Sequence, residues 1–259
     1  EVQQSLSDPF FMGLLGPLAD ALAEQRYDLL LSRVVPGDES WLENMVRSGR
    51  VDGIILIGQS DQTDVIEGVA KQFAPLVVWG AHRPGLVQTT VGTDNLTGGD
   101  IAAQHLIAMG RRRLAFLGDP AVPEFADRYA GFHRAIGQAA EVEEILLPLH
   151  LTDQDAYADM ARYLESHPSP DGIFAASDVI AMSAMRAVAD QGLRVPQDVS
   201  IIGYDDISIS AHTVPPLTTI RQDMHKGARL LVDLLIRRLA GETVTSVAMT
   251  PELILRGTA

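Results

Sequence analysis

Two carboxylates come directly after a largely apolar run in the last quarter of the chain. Residues 199–203 are followed by Tyr204, Asp205 and Asp206. A short apolar and β-branched run of this kind is typical of a buried parallel strand. Because open α/β sheets bind ligands at the carboxyl ends of their strands, the two aspartates are candidates for ligand contact. An aspartate pair in this position can also serve only to solvate a loop or to cap the next helix.

A serine and an aspartate stand at a second predicted strand end. Ser177 and Asp178 follow a predicted strand at residues 172–176 and open a predicted helix. An aspartate here can cap the helix by accepting a hydrogen bond from its first turn, or it can contact a ligand. The sequence leaves both roles of Asp178 open.

Several kinds of chemistry lack the residues that they require. The sequence has neither a G-x-x-x-x-G-K-[ST] loop nor a G-x-G-x-x-G turn, and its seven histidines are scattered without metal-ligand spacing. A glycosidase needs two carboxylates that flank the scissile bond, and Asp178 and Asp205 are the pair that could be imagined in that role. No nucleophile or base motif supports catalysis, so we expect no catalytic residues, no metal and no cofactor.

Composition limits the partners and the compartment. The net charge of −14 repels a phosphate backbone, so these 259 residues are not expected to bind nucleic acid. No apolar run approaches the roughly 18 residues that a membrane span needs, and no signal-peptide pattern is present. The absence of cysteine fits a reducing compartment. We therefore expect a cytoplasmic protein without membrane contact, although the mature form of an exported protein has a similar composition.

Apolar strand-like runs alternate with amphipathic segments along the whole chain. Phe11, Leu15, Leu18 and Leu22 share one face of a first helix that Asp8 or Ser7 can cap, and Pro17 should kink that helix or mark its first turn. The predicted strands are 27–31, 53–57, 76–79, 114–118, 145–149, 172–176, 199–203, 217–220 and one around 247–255. The other predicted helices are 39–48, 63–73, 95–109, 125–139, 156–164, 179–191 and 224–239.

This alternation predicts an α/β fold with two similar doubly wound lobes. Strands separated by helices of about ten to fifteen residues are typical of parallel sheets with right-handed crossovers. Two such halves indicate two lobes with a ligand cleft between them. The helix and strand that follow the second half imply that the chain crosses between the lobes more than once.

Two segments together resemble the effector-binding core of lactose-repressor (LacI) family transcription regulators, which has a periplasmic-binding-protein-like fold. They are residues 192–206, GLRVPQDVSIIGYDD, and residues 215–220, PPLTTI. Shorter matches are PFF at 9–11, VDGII at 51–55, DN at 94–95 and RYAGF at 128–132. The resemblance implies an N-terminal lobe of residues 1–93 and 221–250, and a C-terminal lobe of residues 94–220 and 251–259.

The resemblance also implies a ligand site. Arg128 and Asp205 match the family's ligand-binding arginine and carboxylate, and a guanidinium offers a fork of donors that suits hydroxyl pairs or carboxylates. Further candidate contacts are Ser177, Asp178, Gln222 and, as an apolar wall, Phe10, Phe11 and Met224. The sequence departs from sugar- and purine-binding members at Leu151, where they often have a stacking aromatic residue, and at Gly80, where they often have an aspartate.

As function, the resemblance implies that a small polar effector, a sugar or sugar derivative, controls DNA binding allosterically. The family's helix-turn-helix precedes this core, so operator DNA is expected to be bound only through an N-terminal module absent from this sequence. The segment 1–6 makes a poor candidate for the strand that opens the family's core. The alternative is a periplasmic sugar-binding receptor of an ABC transporter, which shares the fold, but residues 196–206 and 215–220 are more similar to the regulators.

The resemblance further implies a homodimer. Two helices carry apolar stripes that suit a twofold interface, and these stripes can equally face their own sheets. The stripes are Trp41, Leu42, Met45 and Val46 on the first helix, and Leu230, Leu231, Leu234 and Leu235 on the second.

Overall fold

A computed structural model describes residues 7–33, 40–58, 62–148 and 153–259. The segment 1–6 and Leu151, both singled out in the sequence, lie outside these ranges. The described chain divides into two compact units. The N-terminal unit contains the described residues up to Thr93 together with Asp223–Met249, and the C-terminal unit contains Asp94–Gln222 and Thr250–Ala259.

Helices and strands alternate through most of the described chain. The helices are α1 (Pro9–Glu24), α2 (Trp41–Arg47), α3 (Thr63–Ala70), α4 (Asn95–Ala108), α5 (Pro123–Ile136), α6 (Asp153–Ser166), α7 (Asp178–Asp190) and α8 (Met224–Leu239), with a 3₁₀ helix at Ser208–His212. The strands are β1 (Ile54–Ile57), β2 (Leu76–Trp79), β3 (Thr89–Thr93), β4 (Arg113–Leu117), β5 (Glu143–Leu147), β6 (Gly172–Ala175), β7 (Ser200–Asp205), β8 (Thr218–Arg221), β9 (Val247–Met249) and β10 (Glu252–Ile254). None of these helices is long and apolar enough to span a bilayer.

The N-terminal unit has a parallel sheet in the order β1-β2-β3-β9. Alternate residues of β2 belong to two different clusters, as expected for a strand that is covered on both faces. Val77 and Trp79 pack with the buried leucines of α1 and α8, whereas Leu76 and Val78 pack with Leu42 of α2. The predicted doubly wound arrangement is therefore present in this unit.

The C-terminal unit has a six-stranded sheet in the order β10-β8-β7-β6-β4-β5. All pairs are parallel except β10 with β8. A single hydrophobic core includes Phe116, Phe132 and Phe174, whose ring centroids are 5.5 to 5.9 Å apart. This sheet places the carboxyl ends of β6 and β7 side by side.

The first helix confirms one predicted cap and resolves the position of its proline. The Asp8 carboxylate accepts a hydrogen bond from Phe10 N at 2.8 Å. Burial raises the pKa of Asp8, and hydrogen bonds from the first turn oppose that rise. Pro17 lies inside α1, so it does not mark the first turn.

Two predictions about strands are wrong. Residues 27–31 do not form a strand, and Leu30 is 62% exposed. Apolar residues form a strand only where a neighbouring strand pairs with their backbone. The predicted strand at 247–255 is two strands, β9 and β10, which belong to different sheets. For the stripe of α8, the structure shows the second of the two alternatives, because Leu231, Leu234 and Leu235 are buried within their own unit.

Candidate functional site

Polar side chains from four elements of the C-terminal unit meet at the carboxyl ends of β6, β7 and β8. Arg128 comes from α5, Asp205 ends β7, and Gln222 follows β8. Ser177 and Asp178 follow β6. The structure thus brings together the predicted site residues of this unit at the edge where parallel sheets bind ligands.

Arg128 is 4% exposed and is held on several sides. Its Nε donates a hydrogen bond to Asn95 Oδ1 at 2.9 Å, and its Nη1 donates to the carbonyl of Ala176. The guanidinium carbon lies 3.7 Å from the centroid of the Tyr204 ring and 5.3 Å from that of Phe125. Aromatic faces attract a guanidinium, and hydrogen bonds at two nitrogens fix its plane. The orientation of the arginine is therefore fixed by contacts within the protein.

Two glycines allow α4 and α5 to approach closely enough for the contact between Arg128 and Asn95. A Cβ added at Gly99 would lie 1.9 Å from the carbonyl oxygen of Arg128, and one added at Gly131 would lie 1.9 Å from that of Leu96. Real Cβ atoms do not approach backbone so closely, so both positions require glycine. Gly131 is the glycine of the RYAGF segment, and its structural reason is this helix contact.

Asp205 is 7% exposed and lies between an amide and the arginine. Its Oδ1 accepts a hydrogen bond from Gln222 Nε2 at 2.7 Å and is 3.9 Å from Arg128 Nη1. The backbone of Asp205 has φ +113° and that of Asp206 has φ +57°, which are uncommon values for residues other than glycine. Such strain is often found where a structure positions a functional side chain.

Asp178 and Ser177 have different roles at the start of α7. The Ser177 hydroxyl, not the Asp178 carboxylate, caps the helix by accepting a hydrogen bond from Ile180 N at 3.2 Å. Asp178 is fully buried and accepts hydrogen bonds from Thr219 Oγ1 at 2.5 Å and from Ile207 N at 2.9 Å. It therefore ties β8 to the turn that follows Asp206. Burial, and then the charge of Asp205, raises the pKa of Asp178 well above its ordinary value.

Asp206 faces two arginines. Its carboxylate accepts hydrogen bonds from Arg221 Nε at 2.7 Å and Arg256 Nη2 at 2.5 Å. Burial acts against the charged form, but these arginines lower the pKa of Asp206 overall. The Asp206 carboxylate is thus occupied by protein partners, so its role is structural.

The remaining predicted contacts lie in the N-terminal unit. Phe10 is half-buried, and its ring centroid is 5.6 Å from Trp79 and 5.9 Å from Phe11. Met224 begins α8, and its sulfur would lie 2.9 Å from a Cβ added at Gly13. These residues form an apolar group next to the carboxyl end of β2, where Gly80 follows.

Two residues of the site were not predicted as contacts. Asn95 and Tyr204 both lie within the matched segments, but neither was assigned to the ligand. Asn95 is 5% exposed, and a buried polar side chain in a charged neighbourhood requires a partner, which here is Arg128. Within the described ranges, no cluster of histidine, aspartate or glutamate has the arrangement of a metal site.

Comparison with known proteins gives consistent matches. The model of the periplasmic binding protein-like domain family matches residues 103–259. The HTH-type transcriptional regulator CelR of Thermobifida fusca is 30% identical over 257 residues, which cover 96% of this chain and 75% of CelR.

Solved structures with the same fold contain bound sugars. A complex of the transcriptional regulator CelR with cellobiose has a TM-score of 0.86 and 28% identity, and the match covers 98% of this chain and 80% of that one. A LacI family transcriptional regulator from Enterococcus faecium with bound ribose also has a TM-score of 0.86 and 28% identity, with 98% and 95% covered.

Proposed function

Because this chain belongs to the LacI family of transcriptional regulators and is its periplasmic-binding-protein-like effector-binding core, we propose that the site at Arg128 and Asp205 binds a sugar or sugar derivative. The relatives are regulators and not enzymes, and none of those described is a transport receptor. The regulator is therefore favoured over the periplasmic receptor of a transporter.

One observation carries the proposal. A buried guanidinium, a carboxylate and a primary amide are placed together at strand ends by Arg128, Asp205 and Gln222. Vicinal hydroxyls donate to carboxylate oxygens and accept from guanidinium and amide nitrogens, so a sugar satisfies all three groups. The bound cellobiose and ribose of two relatives support the same ligand class.

The other predicted site residues receive roles within this proposal. Asp178 positions the turn beyond Asp205, since both its oxygens already accept hydrogen bonds from the protein. Ser177 is half-buried at the start of α7, and we keep it as a candidate contact beside its capping role. Phe10, Phe11 and Met224 remain the proposed apolar contacts, by their family positions.

Regulation follows from a difference in effector affinity between two conformations. A ligand shifts a conformational equilibrium only as far as its affinities for the two states differ. We propose that the effector acts in this way on a cytoplasmic homodimer. Operator DNA would be bound through a helix-turn-helix of the kind for which the relatives are named.

A thermal-shift screen of sugars and purines tests the effector class. Ribose and cellobiose are the first compounds to include, because they are the sugars in the two related structures. A ligand that binds only the native state raises the unfolding temperature in a concentration-dependent manner. We expect stabilisation by at least one sugar and none for the Arg128→Ala variant. Stabilisation by purines alone would reject the sugar proposal.

The homodimer is tested by light scattering at micromolar concentrations. Half-buried Trp41, Met45 and Val46 on α2 leave an apolar surface that supports self-association. We expect about twice the chain mass of 28.0 kDa. A mass near that of one chain across the concentration range would contradict the dimer, provided that circular dichroism shows the sample to be folded.

A further inference from the structure

Asp178 is a fully buried carboxyl group whose oxygens are both occupied by the protein. Its Oδ1 accepts a hydrogen bond from the Thr219 hydroxyl at 2.5 Å, and its Oδ2 accepts one from Ile207 N at 2.9 Å. Both donors are neutral, and the ion pairs at this strand end, within the described ranges, belong to Asp205 and Asp206. Because a buried carboxylate without a cationic partner is costly, this environment favours the protonated acid.

The Asp178 carboxyl group lies against the segment that carries Asp205. A Cβ added at Gly203 would be 2.2 Å from Asp178 Oδ1, and Oδ2 accepts the hydrogen bond from Ile207 N. Gly203 and Ile207 are two residues before and two residues after Asp205 in the chain. The charges of Asp178 and Asp205 therefore act on each other in a buried environment, where little water screens them.

The charged side chains around Asp205 and Asp206 form ion pairs with one another. They are Arg128, Asp205, Asp206, Arg221, Glu252 and Arg256. Asp205 has one arginine nitrogen at 3.9 Å, and Asp206 accepts hydrogen bonds from two arginines. A proton on Asp178 thus leaves one carboxylate opposite one guanidinium at the proposed ligand site, whereas its loss adds a second negative charge next to Asp205.

A sugar bound to Arg128 and Asp205 would replace water at this strand end. Because water screens charges, its removal strengthens the repulsion between Asp205 and an ionised Asp178, whereas a protonated Asp178 is not repelled. Burial, and then the charge of Asp205, already raises the pKa of Asp178 well above its ordinary value of 3.8. The bound sugar would act in the same direction, so it would bind more favourably to the protonated form.

Thr219 allows Asp178 to keep its hydrogen bonds in both protonation states. A hydroxyl group donates to an ionised carboxylate and accepts from a protonated one, and the 2.5 Å between Thr219 Oγ1 and Asp178 Oδ1 suits either direction. Ile207 N donates to the other oxygen in both states. Gain or loss of the proton therefore requires rotation of one hydroxyl group and no rearrangement of the fold.

We propose that effector binding at Arg128 and Asp205 is coupled to a proton on Asp178, so that the sugar binds more tightly when Asp178 is protonated. This regulation rests on the proposed sugar site and adds a dependence on pH to it. The coupling is reciprocal, so the sugar raises the proton affinity of Asp178 by the same factor. The protonated fraction decreases as pH rises through the raised pKa of Asp178, and the affinity for the sugar decreases with it.

Isothermal titration calorimetry of the whole chain with ribose and with cellobiose tests the coupling. We expect the affinity to fall by about fivefold or more as pH rises from 3.8 through the raised pKa of Asp178. Binding should take up protons in that range, which is measured from the change of the binding heat with the ionisation enthalpy of the buffer. Asp178→Asn cannot ionise and should lose both the pH dependence and the proton uptake. Asp190→Asn, at the exposed end of the same helix, should keep both.

A second variant keeps the test decisive if Asp178→Asn fails to fold. Thr219→Val keeps the shape of the side chain but removes the hydroxyl that lowers the pKa of Asp178, so the fall in affinity should move to higher pH. The proposal is rejected if the affinity does not change with pH, if binding releases protons, or if a folded Asp178→Asn variant keeps the pH dependence. These results would leave the sugar site in place, whereas failure of every sugar in the screen to bind would reject both proposals.

Discussion

The guanidinium carbon of Arg128 lies 3.7 Å from the centroid of the Tyr204 ring, and Nη1 of the same arginine lies 3.9 Å from Asp205 Oδ1. Consecutive residues of a regular strand point to opposite faces of the sheet. Here the consecutive residues Tyr204 and Asp205 both contact the side chain of Arg128. The positive φ of Asp205 marks the departure from regular strand geometry at this point. The strained backbone thus allows an aromatic ring and a carboxylate to act on one arginine.

Removal of the guanidinium should weaken effector binding. We expect Arg128→Ala to lower the affinity by about 1–3 kcal/mol or more, because it removes charge-assisted hydrogen bonds to the ligand. Arg128→Lys should recover little of this loss, since an ammonium group cannot reproduce a fork fixed by Asn95 and Tyr204. Calorimetry with the sugar found in the screen measures the affinities of both variants.

Arg134→Ala is the matched control for that experiment. Arg134 lies on the same helix, and its side chain is about half exposed and pairs with Asp100 at 3.3 Å. Its loss should change neither the affinity nor the fold appreciably. Equal affinities for the wild type and a folded Arg128→Ala variant would remove Arg128 from the binding site.

The contact between α4 and α5 should not tolerate a methyl group. Gly131→Ala would place a Cβ 1.9 Å from the Leu96 carbonyl oxygen, and relief requires the two helices to separate. We expect a loss of about 1–3 kcal/mol or more in the free energy of unfolding, as for other overpacked cores. Gly137→Ala is the control, since its nearest neighbour would lie 3.5 Å away. Urea unfolding of both variants measures the difference, and equal stabilities would contradict the proposed reason for Gly131.

The sequence predicted the parts of the fold that depend on local pattern. The range of α8 was predicted without error, because a strong apolar period continues from the Asp223 cap to Gly241. The strand β3 was missed, since Thr89–Thr93 is fully buried but contains only one strongly apolar residue. Residues 27–31 look like a strand in sequence, but strand formation depends on a neighbour that no local pattern can show.

The sequence predicted which residues lie in the candidate site more reliably than it predicted the role of each residue. Arg128 and Asp205 were assigned from matched segments and Gln222 from its family position, and the three residues lie together. The capping role considered for Asp178 belongs to Ser177, because the choice depends on which side chain reaches Ile180 N. Asn95 was not assigned, since its role arises from a helix contact between residues 33 positions apart.

Asp178 should make stability depend on pH in a defined direction. Its pKa in the folded state is raised by burial and by Asp205, so the folded protein holds a proton that the unfolded chain releases above its ordinary pKa of 3.8. The stabilisation is complete below that value and is lost as pH rises through the raised pKa. Asp178→Asn retains a donor and an acceptor but does not ionise. Relative to the wild type, this variant should therefore become more stable as pH rises from 3.8 towards the raised pKa of Asp178, measured by urea unfolding. A constant difference would show that Asp178 does not titrate there.

Substitution of Asp206 should mainly lower stability, whereas substitution of the adjacent Asp205 should mainly weaken ligand binding. Asp206→Asn loses the ionic pairing with Arg221 and Arg256, and we expect about 1–3 kcal/mol of destabilisation at neutral pH. Because the arginines lower the pKa of Asp206 in the folded state, its contribution is present above the ordinary value of 3.8 and is lost as pH falls, so the difference from the wild type should shrink in acid.

Asp205→Asn should behave in the opposite way. Asparagine tolerates positive φ and can still accept a hydrogen bond from Gln222, so the fold should lose little stability. The carboxylate is nevertheless the proposed acceptor for the effector's hydroxyls, and we expect the affinity to fall by about tenfold or more. Calorimetry and urea unfolding on both variants give four values. A larger affinity loss in Asp206→Asn than in Asp205→Asn would show that the two roles have been assigned to the wrong carboxylates.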